Sequence, residues 1–70
     1  MISDEELAIR FTYHAPKPDQ LPKFEAMRAA GKAFAQLIVQ LTPESREQSL
    51  ALTALDEVVA HANAAIARRG

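Results

Sequence analysis

Two stretches of the sequence decide the fold: FEAMRAAGKAFAQLIVQL at residues 24–41 and SREQSLALTALDEVVAHANAAIAR at residues 45–68. In each of them apolar or small residues recur at alternating steps of three and four, which predicts an amphipathic helix with a packing seam. The first seam consists of Phe24, Met27, Gly31, Phe34, Ile38 and Leu41, and the second of Leu52, Leu55, Val59, Ala62 and Ile66. The short junction between the stretches predicts an antiparallel helical hairpin.

Helix-capping residues and prolines set the expected boundaries of the elements. We expect one all-α domain over residues 1–70, with long helices at 19–41 and 43–69 capped by Asp19 and Thr42. The N-terminal arm, residues 1–18, is predicted to hold a short helix at 4–10 that is capped by Ser3. Residues 11–16 are expected to be extended because the stretch is rich in β-branched and aromatic residues and ends in Pro16, and a residue before a proline avoids helical backbone angles.

The size and composition of the chain favour a homo-oligomer. Seventy residues without cysteine cannot build a disulfide framework, and so small a domain usually needs some added stabilisation. Each long helix also carries a second apolar row: Ala26, Ala30, Ala33 and Leu37 on the first, and Ala51, Ala54, Val58 and Ala65 on the second. We therefore expect several hairpins to pack together. No apolar run approaches the length of a membrane span, so no membrane partner is expected.

A basic and amide stripe on the first long helix is a candidate binding surface. Arg28 and Lys32 are four residues apart, and Gln36 and Gln40 continue the same face. No acidic residue lies between Glu25 and Glu44. Two other interpretations stay open: the stripe is a solvated face, or it pairs with Asp56 and Glu57 on the neighbouring helix.

The N-terminal arm alternates cations with aromatic side chains at Arg10, Phe11, Tyr13, His14 and Lys17. Aromatic rings stack on bases and cations neutralise phosphates, which are the requirements of a nucleotide site. The alternative is that Phe11 and Tyr13 anchor the arm against a core. Together, the arm and the stripe are compatible with a site for a small polyanion.

The sequence offers little for catalysis, metal binding or DNA and RNA binding. No nucleophile stands in a catalytic spacing from His14, and no metal or other cofactor is expected. The formal net charge is −1, and acidic residues at Asp4, Glu5, Glu6, Asp56 and Glu57 interrupt any basic surface. We therefore expect neither an enzyme nor a DNA- or RNA-binding protein.

Two strings in this sequence resemble a known family. FTYHAPK at residues 11–17 and the stretch 45–68 are similar to the helical-hairpin domain of phage anti-CBASS and anti-Thoeris sponges. The similarity extends over residues 10–68. Departures occur at His61, where a tryptophan is expected, and at Gln48 and Ala54, where lysines are expected, so the resemblance leaves the ligand range open.

The resemblance implies a function in the cytoplasm of an infected bacterium. Such a protein binds cyclic oligonucleotide second messengers, such as the dinucleotide 3',3'-cGAMP, or trinucleotides or cyclic ADP-ribose isomers, without cleaving them. The family forms homo-oligomers, hexamers among them, with ligand sites between subunits. The resemblance also implies ligand contacts from Tyr13 and from a cation of the first long helix. We choose Lys32 as this cation, and Arg28 is the alternative. Competing functional classes are a helical adaptor or antitoxin-like protein and a small nucleic-acid-binding oligomer.

Overall fold

The computed structural model describes residues 1–70 as three α-helices without a β-strand. Helix α1 spans Asp4–Phe11, α2 spans Leu21–Leu41 and α3 spans Arg46–Arg69. Residues 42–45 join α2 to α3, and the side chain at the start of α2, Gln20, reaches the carbonyl of Ile66 near the end of α3. The two long helices therefore run antiparallel, and the predicted all-α hairpin is confirmed.

The beginnings of α1 and α2 differ in how they are capped. The Ser3 hydroxyl accepts a hydrogen bond from the Glu6 amide at 3.1 Å, which confirms the predicted cap of α1. The predicted cap of α2 is wrong, since Gln20 rather than Asp19 precedes the helix and makes no side-chain capping bond. Gln20 already has helical backbone angles, and its amide donates to the Lys17 carbonyl at 2.9 Å. The chain thus enters α2 through a turn, which leaves no extended N-cap position for Asp19.

The α2–α3 junction also departs from the expected boundaries. Thr42 ends α2 instead of starting α3, with its hydroxyl donating to the Ile38 carbonyl at 2.6 Å. Ser45 caps α3 and accepts from the Gln48 amide at 3.1 Å, so the helix begins at residue 46 rather than 43. Pro43 restricts Thr42 to extended backbone angles, and the loop gives Ser45 the extended geometry that an N-cap requires.

The residues of the helix seam agree with the prediction on α3 and differ from it in part on α2. The expected α3 residues Leu52, Leu55, Val59, Ala62 and Ile66 are all half-buried. On α2 the half-buried positions are Phe24, Gly31, Ala35 and Ile38, whereas the predicted seam residues Met27, Phe34 and Leu41 are exposed. A Cβ atom on Gly31 would lie 2.7 Å from Val59 Cγ2, so the helices approach each other closely at a position where α2 lacks a side chain.

The hairpin is thin and encloses no hydrophobic core. Its Cα atoms extend over 45 × 32 × 13 Å, and no apolar side chain is fully buried. The accessible surface is 5670 Å², whereas a compact monomer of this mass is expected to expose about 4,300 Å². One chain therefore leaves much apolar surface in contact with water.

Helix α3 has the length and mean hydropathy of a membrane-crossing helix. Asp56 and Glu57, however, are adjacent near its middle, where carboxylates in a bilayer are costly. Helices of water-soluble proteins reach the same length and hydropathy, so this feature alone does not indicate a membrane partner.

Candidate functional site

A groove of ≈ 410 Å³ follows one face of the seam between α2 and α3. Half-buried residues Gly31, Leu55 and Val59 contribute to it, together with the exposed cations Arg28 and Lys32. The remaining lining residues are Ala35, Leu52, Asp56, Ala60 and Asn63. We call this surface, with its ten residues, the basic groove.

Arg28 and Lys32 project into the basic groove without an acidic partner. Their four-residue spacing places them on one face of α2, about 6 Å apart along the helix axis. The chain has two ion pairs within 4.0 Å, and both of them involve Glu6. Arg28 and Lys32 therefore do not form the ion pairs with Asp56 and Glu57 that the sequence left open. The groove contains these two unpaired cations and one carboxylate, that of Asp56.

A second depression of ≈ 390 Å³ continues from the basic groove along α2. It is lined by Lys32, Gln36 and Gln40, with apolar contributions from Val39 and Leu52. The basic and amide stripe expected from the sequence is thus a continuous surface beside α3. The exposed lining of this second depression is almost entirely apolar, so it suits an apolar part of a ligand rather than a polar one.

Asn63 is a groove residue that the sequence reasoning did not select. Its side-chain Oδ1 is buried and has no hydrogen-bond partner. An unsatisfied buried acceptor is costly, and a donor from a ligand or a neighbouring chain would relieve that cost. The only signal in the sequence is an asparagine inside the alanine-rich run ANAAIA at residues 62–67, where its helix propensity is low.

The cations of the N-terminal arm are engaged within the chain. Arg10 Nε pairs with Glu6 Oε2 at 2.9 Å, and Lys17 Nζ donates to the Gly70 carbonyl at 3.2 Å. His14 Nε2 lies 2.7 Å from the Ile9 carbonyl oxygen and donates its proton to it. Lys17 attaches the arm to the residue after α3, whereas the contacts of Arg10 and His14 lie within the arm.

Phe11 and Tyr13 are the exposed part of the arm. They are 84% and 82% exposed, so in the single chain they do not anchor the arm against a core. Tyr13 does not line the basic groove. Helix α2 begins at Leu21, 11 residues before Lys32, which corresponds to about 16 Å along the helix. One chain therefore brings Arg28 and Lys32 together, but it does not bring Tyr13 to them.

Glu6 connects the arm to the last turn of α3. Its carboxylate accepts from Arg69 Nη2 at 2.8 and 3.0 Å and from Arg10 Nε at 2.9 Å. The bond from Arg69, followed by that from Arg10, lowers the pKa of Glu6 below its ordinary value. The carboxylate therefore keeps both partners at neutral pH, and acid weakens this connection.

Comparison of the sequence with known protein families gives a match. The family model described as the Acb2/Tad1 hairpin domain matches residues 3–67, which is almost the whole chain. No curated protein and no solved structure matches the chain significantly. The family match includes α1, the connecting segment and nearly all of the hairpin.

Proposed function

The chain belongs to the Acb2/Tad1 hairpin-domain family of anti-CBASS and anti-Thoeris cyclic-nucleotide sponges, and from that membership we propose that it sequesters cyclic oligonucleotide immune messengers. The proposed ligands are cyclic dinucleotides such as 3',3'-cGAMP, or cyclic trinucleotides. Binding without cleavage would keep the messenger from its effector and so block CBASS signalling. The proposed place of action is the cytoplasm of an infected bacterium.

The observation that carries the proposal is the pair of unpaired cations in the basic groove. A cyclic dinucleotide is a rigid dianion, and Arg28 and Lys32 offer two positive charges on one helix face. Both are without a carboxylate within 4.0 Å, so binding an anion breaks no existing ion pair. A charge-assisted hydrogen bond to phosphate is stronger than a neutral one.

Sequestration requires affinity but no reaction. No group of three or more His, Asp or Glu side chains is arranged to hold a metal ion. His14 donates to a backbone carbonyl, and no serine hydroxyl is hydrogen-bonded to it. The family is one of binding domains, which supports the proposal of a non-catalytic protein.

A homo-oligomer, with a hexamer favoured, completes the proposed site. Met27, Phe34 and Val58 are 41%, 56% and 61% exposed, and they lie together on the face opposite the basic groove. The area in excess of a compact monomer is about 1,300 Å², which a stable assembly would cover. Packing between chains is also the way to bring the arm of one subunit, with Tyr13, to the groove of another.

Calorimetry with 3',3'-cGAMP tests the proposal directly. We expect saturable binding, and we expect chromatography to recover the intact messenger after the complex is heated. Hydrolysed messenger would contradict a sponge and indicate an enzyme. An absence of binding to cyclic nucleotides, together with a stable complex with another protein, would instead support the adaptor class.

Tyr13 variants test the contribution of the arm. A base stacked on an aromatic ring contributes about 1–3 kcal/mol, so Tyr13→Ala should weaken binding roughly 5–150-fold. Tyr13→Phe retains the ring and should keep most of the affinity. If both variants bind like the wild type, Tyr13 is not a ligand contact.

A further inference from the structure

Gln20 is the one buried residue in the chain, with 2% of its surface exposed. Both ends of its side-chain amide are used. Oε1 accepts from the Lys17 amide at 3.0 Å, and Nε2 donates to the Ile66 carbonyl at 3.0 Å. Only one orientation of the amide satisfies an N–H on one side and a carbonyl on the other, so the assignment of the two atoms is unambiguous.

The Gln20 amide joins parts of the chain that are far apart in sequence. Lys17 is at the end of the arm, and Ile66 is 46 residues beyond Gln20 in the last turns of α3. The Ile66 carbonyl also accepts from the Gly70 amide at 3.1 Å, so Gln20 binds where α3 ends. A carbonyl oxygen has two lone pairs, so the Ile66 carbonyl accepts from the Gly70 amide and from the Gln20 side chain together.

We propose that Gln20 is a positioning residue, which fixes the arm on the end of α3 and so sets the orientation of Tyr13. Its effect on ligand binding rests on the proposed function. The other connections involve exposed groups: Lys17 Nζ to the Gly70 carbonyl, Arg69 to Glu6, and Arg68 Nη2 to the Arg10 carbonyl. Exposed pairs contribute little because water competes for them. The Gln20 side chain is shielded from water, and its removal leaves the Lys17 amide without a hydrogen-bond partner.

The chain contains one tyrosine and no tryptophan, so its intrinsic fluorescence reports on the arm alone. In Gln20→Leu we expect lower steady-state anisotropy of Tyr13 and at least tenfold faster hydrogen exchange at the Lys17 amide. Gln48→Leu is the matched control. It removes two glutamine hydrogen bonds, to the Thr42 carbonyl and hydroxyl, at the opposite end of the hairpin. This control should leave both signals unchanged.

Gln20→Glu separates the two hydrogen bonds and provides a second variant if Gln20→Leu fails to fold. At pH 7 its carboxylate still accepts from the Lys17 amide, but it places an oxygen against the Ile66 carbonyl. We expect the anisotropy of Tyr13 to fall while the Lys17 amide stays protected. Unchanged anisotropy in both folded variants would overturn the proposal.

Affinity for 3',3'-cGAMP completes the test. If the released arm occupies its bound position about one tenth of the time, Gln20→Leu should bind about tenfold more weakly. Lower anisotropy with unchanged affinity would overturn the positioning role. If the wild type binds no cyclic nucleotide while the anisotropy still falls, the proposed function fails, whereas the attachment of the arm by Gln20 stands.

Discussion

The two faces of the α2–α3 seam share three residues but differ in chemistry. Gly31, Leu55 and Val59 contribute to both faces. On one side the groove adds Arg28, Lys32, Asp56 and Asn63, whereas the opposite side adds Met27, Ala30, Phe34 and Val58. A hairpin only 13 Å thick has no interior in which to separate these roles. Each helix therefore presents charged and polar side chains on one side and apolar side chains on the other.

The periodicity of α2 shows how one helix carries both chemistries. Arg28, Lys32 and Ala35 follow steps of four and three on the groove side. Met27, Ala30 and Phe34 follow steps of three and four on the apolar side. Gly31 lies between the two rows and faces Val59. The contrast between the faces therefore depends on the close crossing at Gly31, and four substitutions test it in order of decreasing effect.

Gly31→Leu should have the largest effect, because it removes the support of both faces. Even a single Cβ at this position would lie 2.7 Å from Val59 Cγ2. Overpacking of this kind costs about 1–3 kcal/mol or more, which is a large share of the stability of a small domain. We expect loss of helicity by circular dichroism and a lower urea midpoint.

Gly31→Ala provides the graded control for that crossing. Its helix propensity gain of about 1 kcal/mol partly offsets the contact with Val59. In a Val59→Ala background the same change should cost less, because the opposing methyl groups are gone. Equal costs in both backgrounds would show that Gly31 and Val59 do not interact.

The sequence predicted the hairpin well because the helix-forming repeats act locally. The Ser3 cap and the α3 seam agree with the structure. The α2 seam was harder to predict, since Met27 and Phe34 satisfy the three–four spacing as well as Ala35 does. A repeat of apolar residues does not specify which of two adjacent rows faces the neighbouring helix.

The candidate site was predictable only in part. The spacing of Arg28 and Lys32 placed them on one face, as the groove shows. Arg10 pairs with Glu6 at the four-residue spacing of one helix face, which is a local pattern. The partner of Lys17 depends instead on how the arm folds back onto α3, which no local pattern encodes. The burial of Gln20 likewise arises from contacts between residues 46 positions apart. These tertiary contacts decide which cations of the sequence are free for a ligand.

Val58→Asp should have the next largest effect, on assembly through the apolar face. Val58 is 61% exposed and lies beside Met27 and Phe34, so its replacement by a charge leaves the single hairpin little changed. Burying that carboxylate between chains would be strongly unfavourable. We expect the mass measured by light scattering to fall toward that of one chain.

Thr53→Asp is the matched control for the Val58 substitution. Thr53 is exposed on the same helix and lines none of the grooves. It should leave the particle mass unchanged. If Val58→Asp also retains the wild-type mass, the apolar face is not the assembly surface.

Lys32→Ala should weaken ligand binding by a smaller but clear amount. A hydrogen bond to a charged group contributes about 1.5–3 kcal/mol, so we expect roughly 10–150-fold weaker binding of 3',3'-cGAMP by calorimetry. The affinity of the variant should also fall less steeply with salt. Lys23→Ala, an exposed lysine of α2 outside the groove, is the control.

Arg28→Ala decides between the two candidate cations. If Arg28→Ala loses affinity and Lys32→Ala does not, our choice of Lys32 is wrong. If neither substitution affects binding, the stripe is a solvated face. In that case the basic groove does not bind the ligand.

Asp56→Asn should have the smallest effect, and the effect should be of opposite sign. Asp56 is the only carboxylate of the basic groove and repels an anionic ligand. Two unit charges 4 Å apart in water interact by about 1 kcal/mol, and salt screens part of this. We therefore expect 3',3'-cGAMP to bind roughly two- to fivefold more tightly at low salt.

Glu57→Gln separates a groove contact from a change in net charge. Glu57 is the exposed neighbour of Asp56 but does not line the groove, so its neutralisation should change affinity less. The advantage of Asp56→Asn should disappear near 1 M salt, where the screening length is about 3 Å. Equal gains from both variants would indicate a long-range charge effect. Weaker binding by Asp56→Asn would show that this carboxylate accepts a hydrogen bond from the ligand, and the polar face would then recognise a base as well as a phosphate.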